Sequence, residues 1–184
     1  MTSNIEKQHD PGGKVRILLP DGVIGTAIFG GTSNEYRYRL SRTWKSGPRV
    51  LFIMMNPSTA DPSYDDPTVA KCRRFAVNWG YSGIDVGNTF AYRATDQKIL
   101  TQVADPIGPE NDRHLQQMAL DAALVVFAYG KPKTRILKAR GLEVALMLKS
   151  SLKIKPHILR LTIDGTPYHP LYLPETLKPT LWKL

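Results

Sequence analysis

Three short stretches of this chain are almost continuously apolar, and each halts at an amide or a glycine. "RVLFIMM" stops at Asn56-Pro57, "GIDVGNTF" carries Asn88 near its end, and "ALVVFAYG" runs out at Tyr129-Gly130. A half-exposed strand alternates apolar and polar residues, whereas these do not, so both of their faces must be covered, as in a parallel sheet. Between and after them lie stretches of helical spacing. Val69, Cys72, Phe75, Ala76 and Trp79 fall on one side of a helix ending at Gly80, Glu110–Ala123 is a second helix, and Thr134–Lys149 a third. Strand and helix therefore alternate over the later part of the chain, which predicts an α/β domain: a three-layer αβα sandwich with a short, mainly parallel sheet.

The earlier part reads differently. Val15–Leu19 and Val23–Ile28 are short strands around the turn Pro20-Asp21-Gly22, a β-hairpin expected to cover one sheet edge. In "NEYRYRLSRTW", Tyr36, Tyr38 and Leu40 alternate with Arg37, Arg39 and Ser41, so the period of two predicts a strand with one basic face. Ile158–Thr162 is a last short strand leading through Asp164-Gly165 into "TPYHPLYLP". Residues 1–13 are polar and read as a disordered tail, leaving 14–184 as one domain, a size that buries a core without staples.

In open α/β sheets ligands bind beyond the carboxyl ends of the strands. The tips at Asn56-Pro57, Asn88 and Tyr129-Gly130 and the segment around His169 should therefore meet in one crevice. The amide of Asn56 can hold a water or a carbonyl, and Pro57 turns the chain away; an ordinary Asn-Pro turn is the plainer alternative. Asn88 can donate and accept at adjacent positions, as reading a nucleobase edge requires, or can simply cap a loop. His169, set before Pro170, can stabilise a developing anion or be a surface histidine. Asp66-Pro67-Thr68 is a helix start, with Asp66 as the N-cap, which leaves Asp61 as the freer carboxylate. The spacing of Asp61, Asp65 and Asp66 fits neither an EF-hand nor a zinc site, and no P-loop, dinucleotide fingerprint or nucleophile elbow occurs. No cofactor is expected and no metal ligand is assigned, with a divalent-metal site built from these three aspartates as the alternative.

Charge bears on partners. Lys and Arg number 25 against 16 Asp and Glu, a formal charge of +9, and a polyanion is a natural partner for such a chain. No apolar run approaches the roughly 20 residues of a membrane span. The lone Cys72 cannot form an intrachain disulfide, and with no signal-peptide pattern the expected location is cytoplasmic.

"RYRLSRTW", "NPSTAD", "DDPTVAKCRRFAVNWGY", "GNTFAYRATD", "ADPIGPEND" and "HPLYLP" resemble the domain of unknown function 1643 family over about Tyr36 to Pro174. A more distant resemblance is to the uracil-DNA glycosylase superfamily. There a first strand ends in Gly-x-Asn-Pro or Gly-x-Asp-Pro, a second in a base-reading asparagine and a third in an aromatic-glycine segment, and a late His-Pro loop follows. "MMNP", "VGNTF", "VVFAYG" and "YHPLY" are similar to these in order and spacing. Met54 departs from the first motif's glycine, and Leu171-Tyr172 stand where Ser-Pro follows the histidine.

What that resemblance implies is a glycosylase-like protein that flips a nucleobase out of DNA and hydrolyses its N-glycosidic bond. Asn56 would hold the water, His169 would stabilise the departing base, and Asp61 is a further catalytic candidate. Asn88 would read the base beside Pro57 and Ser58, with Phe90, Tyr92 or Tyr64 stacking on it. Arg37, Arg39, Arg42 and Arg93 would contact phosphates, and Leu171 would wedge into the vacated stack. DNA is the expected partner ahead of RNA. The alternatives are a non-catalytic nucleic-acid-binding module of the same fold, or an enzyme of free or modified nucleotides.

Overall fold

A computed structural model describes residues 8–13 and 15–184. Its elements are β1 (Ile17–Leu18), β2 (Ile24–Gly30), β3 (Tyr36–Thr43), β4 (Arg49–Met54), β5 (Tyr64–Asp65), α1 (Pro67–Asn78), β6 (Gly83–Asn88), α2 (Asn111–Asp121), β7 (Leu124–Phe127), α3 (Arg135–Leu152), β8 (Pro156–Ile158) and β9 (Thr180–Leu181). The three apolar runs are β4, β6 and β7, and they are neighbours. The main sheet has the order β2-β3-β6-β4-β7-β8-β9.

The protein is α/β, with a mixed rather than a mainly parallel sheet. β6, β4, β7 and β8 run parallel, while β2–β3, β3–β6 and β8–β9 are antiparallel. The expected hairpin is also corrected. The turn at Pro20 forms, with Val23 N–H donating to Pro20 C=O at 3.1 Å. However, β1 pairs with β5 in a separate two-stranded sheet, and β2 pairs with β3. A two-residue strand offers β2 little ladder, whereas β3 offers it most of its length. The pair joins the sheet by its β3 side instead of covering an edge.

Helices lie on both faces. Val69, Cys72 and Phe75 of α1 pack with Val50, Phe52 and Val86 in one core. Leu115 and Met118 of α2 and Leu137, Val144 and Leu148 of α3 pack with Leu51, Ile53 and Phe127 in the other. Consecutive β4 residues thus feed opposite cores, which is why the run shows no alternation; each fully buried side chain of that size contributes roughly 1.5–3 kcal/mol. Cys72 is a buried thiol of the first core, as its place on the helix suggested.

β3 departs from its period. Ile28 stands opposite Arg39 and Phe29 opposite Arg37, so Tyr38 has no partner on β2 and forms a bulge. The ring of Tyr38 stacks on His114 of α2 at 5.0 Å, and Arg39 reaches Asp85 and, at 3.8 Å, Asp121 of α2. Two consecutive residues therefore serve the same face. Arg37 emerges on the other, with Leu40 and Arg42, where its Nη1 donates to Ala60 C=O at 2.6 Å. The continuous basic face expected from the sequence is split in two by one residue.

Of the tail expected over 1–13, residues 1–7 lie outside the described residues. Residues 8–13 are tied down: His9 N–H donates to Ser33 C=O at 2.8 Å, and Thr95 N–H to Pro11 C=O at 2.8 Å. Among the described residues no helix is long and apolar enough to cross a membrane.

Candidate active site

The strand tips do meet. A cleft of about 1330 Å³ opens beyond the carboxyl ends of the parallel strands, with Met54, Asn56, Asn88, Tyr129, Gly130 and His169 in its wall. The chain leaves β4 for α1 on one face and β7 for α3 on the other, which makes this the switch point where such sheets bind ligands.

Each tip is fixed locally. Asn56 Nδ2 donates to Ala94 C=O at 2.5 Å and to Pro57 C=O at 3.2 Å. Both amide hydrogens are thereby committed, and the side chain offers the cleft its carbonyl oxygen, an acceptor. Pro57 cannot extend the ladder; its own carbonyl accepts Ala94 N–H at 2.8 Å.

Asn88 closes β6 and is only 2% exposed, and its Oδ1 is buried with no hydrogen-bond partner. Its backbone is clamped from α2 and α3. Asn111 Nδ2 donates to Asn88 C=O at 2.9 Å, and Arg140 Nε to Thr89 C=O at 3.1 Å. A buried unpaired amide oxygen costs about 1–3 kcal/mol, and it persists here on the wall of a cleft.

His169 sits against the end of β7. Gly130 has φ +74°, and a Cβ on it would lie 2.9 Å from His169 Cβ, so glycine is needed both for the turn and for the approach. Leu171 N–H donates to His169 Nδ1 at 3.4 Å, which puts the imidazole proton on Nε2. Burial pushes the His169 pKa below the ordinary histidine value, against a smaller opposing effect of the Asp66 carboxylate. The ring is a neutral donor at physiological pH.

The other expected residues divide. Ser58, Arg37 and Leu171 line the same cleft. Asp61, proposed as catalytic, does not: its Oδ1 caps the Ser63 and Tyr64 N–H groups at 2.8 and 3.0 Å, and Oδ2 pairs with Arg16. Pro57 is buried behind the wall, and Phe90 belongs to the α2–α3 core because its backbone follows Asn88 inward. Tyr64 lies under the Arg16 guanidinium at 4.1 Å, and Tyr92 packs on His9 and Tyr36. None of these aromatics is placed to stack in the cleft.

Three of the four arginines expected on phosphates are also committed elsewhere. Arg39 and Arg49 share the buried Asp85. Arg42 is completely buried on Asp65. Arg93 lies over Phe29 at 5.0 Å and donates to Asn34 C=O at 2.9 Å. Asp65, Asp66 and Asp61 point to separate partners, and among the described residues no group of three or more His, Cys, Asp or Glu is placed to hold a metal.

The Tyr129-Gly130 tip lines the cleft as expected, whereas sequence reasoning missed Asn111 and Arg140 as the clamp on Asn88 and Pro11–Gly13 as part of the rim. Asp66 caps α1 as expected, through Val69 N–H at 2.9 Å, yet it also lines the cleft. A signal for Asn111 was present in "PEND", an asparagine at the first position of a helix whose side chain was not needed for the cap.

Neither a curated protein nor a solved structure matches the chain. A family model does, over residues 37–171, and the chain belongs to that family, described as protein of unknown function (DUF1643).

Proposed function

We propose that this member of the family is a glycosylase-like enzyme of the uracil-DNA glycosylase type, built on a three-layer αβα sandwich, that hydrolyses the N-glycosidic bond of a nucleobase flipped out of DNA. The observation that carries the reading is the meeting of Asn56, Asn88 and His169 around one cleft at the ends of adjacent strands. In this mechanism the Asn56 carbonyl accepts a hydrogen bond from a water and aims its oxygen at C1′ of the sugar. The C1′–N bond breaks, its electron pair leaves with the base, and the neutral Nε2–H of His169 stabilises the anion. The water oxygen bonds to C1′ and loses its proton to solvent. Asn88, with its unpartnered Oδ1, reads a donor on the base edge. At the cleft mouth Leu171 and the fully exposed Ile163 are available as wedges, and the exposed Lys131 supplies charge that Arg39, Arg42 and Arg93 do not.

A second reading is favoured by those internal arginines: with so little of the expected basic face left, the ligand is a free nucleotide rather than duplex DNA.

The test is base release by mass spectrometry from single- and double-stranded DNA carrying uracil, hypoxanthine or hydroxymethyluracil, and from the corresponding free nucleotides. Release that falls at least 100-fold in Asn56→Ala, with binding retained, supports the enzyme. Equal release by the variant removes Asn56 from the mechanism, and binding without release across the panel leaves a non-catalytic nucleic-acid-binding module.

A further inference from the structure

Resting on the reading of the cleft as a nucleotide site, we propose that Arg37 forms an oxyanion subsite in its floor that takes a phosphoryl group of the ligand. The geometry that points to it is a contrast between buried arginines of one fold. Arg42 Nε meets the Asp65 carboxylate at 2.8 Å, and its Nη groups donate to the carbonyls of Ser41, Asp61 and Tyr64 at 2.7–2.9 Å. Arg140 has carboxylates on both Nη groups and a carbonyl on Nε. These two are structural ion pairs with their donors used.

Arg37 is as buried, at 2% exposure, and lines the cleft. Its hydrogen bonding ends with Nη1 on Ala60 C=O at 2.6 Å, and Nε is buried without a partner. No carboxylate lies within ion-pair distance of it among the described residues. Burial, with the nearby Arg93 and Arg42 charges adding to it, pushes its pKa down to about 10, although Asp66 and Asp61 oppose the fall. A guanidinium withdrawn from water and left with idle donors is costly unless an acceptor arrives. The planar fork of an arginine suits the paired oxygens of a phosphate.

Other features agree. The first residues of α1, Pro67 to Val69, line the same cleft, so the positive end of that helix faces the same space. Asp66 lies there too and sets an orientation, since a phosphoryl group must approach on the side away from its carboxylate. The cleft is roomy enough for a nucleotide. The bulge at Tyr38 is what delivers Arg37 to this floor rather than to the α2 face.

The experiment is calorimetric titration, at constant ionic strength, of inorganic phosphate, acetate, 2′-deoxyuridine and its 5′-monophosphate into wild type, Arg37→Gln and Lys45→Gln. Lys45 is exposed near the opposite end of the strands and controls for the loss of one charge. The expected result is that phosphate and the monophosphate bind wild type and Lys45→Gln alike, and bind Arg37→Gln about 10- to 100-fold more weakly, the worth of a charge-assisted hydrogen bond. Equal binding by Arg37→Gln, no binding of phosphate by wild type, or preference for acetate overturns the subsite. Should Arg37→Gln fail to fold, the Arg37 Nε–H resonance of the wild-type protein carries the test, and an unmoved signal at saturating phosphate is the overturning result. Base release, assayed in parallel on wild type, separates the two ideas. Phosphate held at Arg37 without release overturns the glycosylase and keeps the subsite, and release without phosphate binding does the reverse.

Discussion

Asp65→Ala strips the counter-ion from a guanidinium with no access to water. Arg42 Nε lies 2.8 Å from Asp65 Oδ1 and Arg73 Nε 3.3 Å from Oδ2, with Arg42 and Asp65 both fully buried. Removing one partner of such a pair costs about 3–5 kcal/mol, because a charge is left in the interior. The carbonyls of Ser41, Asp61 and Tyr64 still solvate Arg42 in part, which favours the lower figure, about 3 kcal/mol. At about 2.1 cal/mol/K per residue, the 184 residues have an unfolding entropy of about 0.39 kcal/mol/K, so the melting temperature should fall by about 8 °C. Thermal unfolding followed by circular dichroism measures this, and urea titration checks that the slope is unchanged. The double variant Arg42→Met/Asp65→Leu removes both buried charges and should recover part of the loss, but not all of it, since the Ser41, Asp61 and Tyr64 carbonyls lose their donor and Arg73 its carboxylate. A fall of under about 3 °C in the single variant would refute the reasoning, since that is the worth of an exposed pair.

Gly130→Ala should cost about 1–2 kcal/mol from the left-handed backbone alone and, by forcing its Cβ to 2.9 Å from His169 Cβ, should move the imidazole. The expected outcome is a shifted His169 resonance and a loss of base release larger than the loss of stability accounts for; an unmoved resonance would count against the contact. His169 should titrate below the ordinary histidine value of about 6.5. Because the unfolded chain then binds the proton more readily, its contribution to stability is present above about pH 6.5 and is lost as pH falls towards the folded pKa. Imidazole nitrogen shifts recorded from pH 7.5 to 5 read this directly, and a midpoint above 6.5 would contradict the burial.

The neighbourhood of β4, β6 and β7 was legible because unbroken apolar runs leave few arrangements open, and the four tips followed from it. Side-chain commitments were not. Arg39, Arg42 and Arg93 look in sequence like a surface waiting for phosphates, but their partners Asp85, Asp65 and Asn34 lie across the fold, and Asp85 reads as one polar interruption in a buried strand. Phe90 looked like a stacking ring because it follows Asn88, whereas its side chain turns into the α2–α3 core. Period-two reading placed Arg37 with Arg39, and only the register against β2 separates them.

That register is a matter of counting rather than of chemistry. The extra residue at Tyr38 inverts the parity of everything before it in β3, so shortening the strand by one position would carry the cation at Arg37 to the opposite side of the sheet with no change in its identity. The charge on the cleft floor of this chain is therefore set by strand length as well as by residue type. Two sequences that align an arginine here have the same floor only if they also have the same number of residues between it and Leu40.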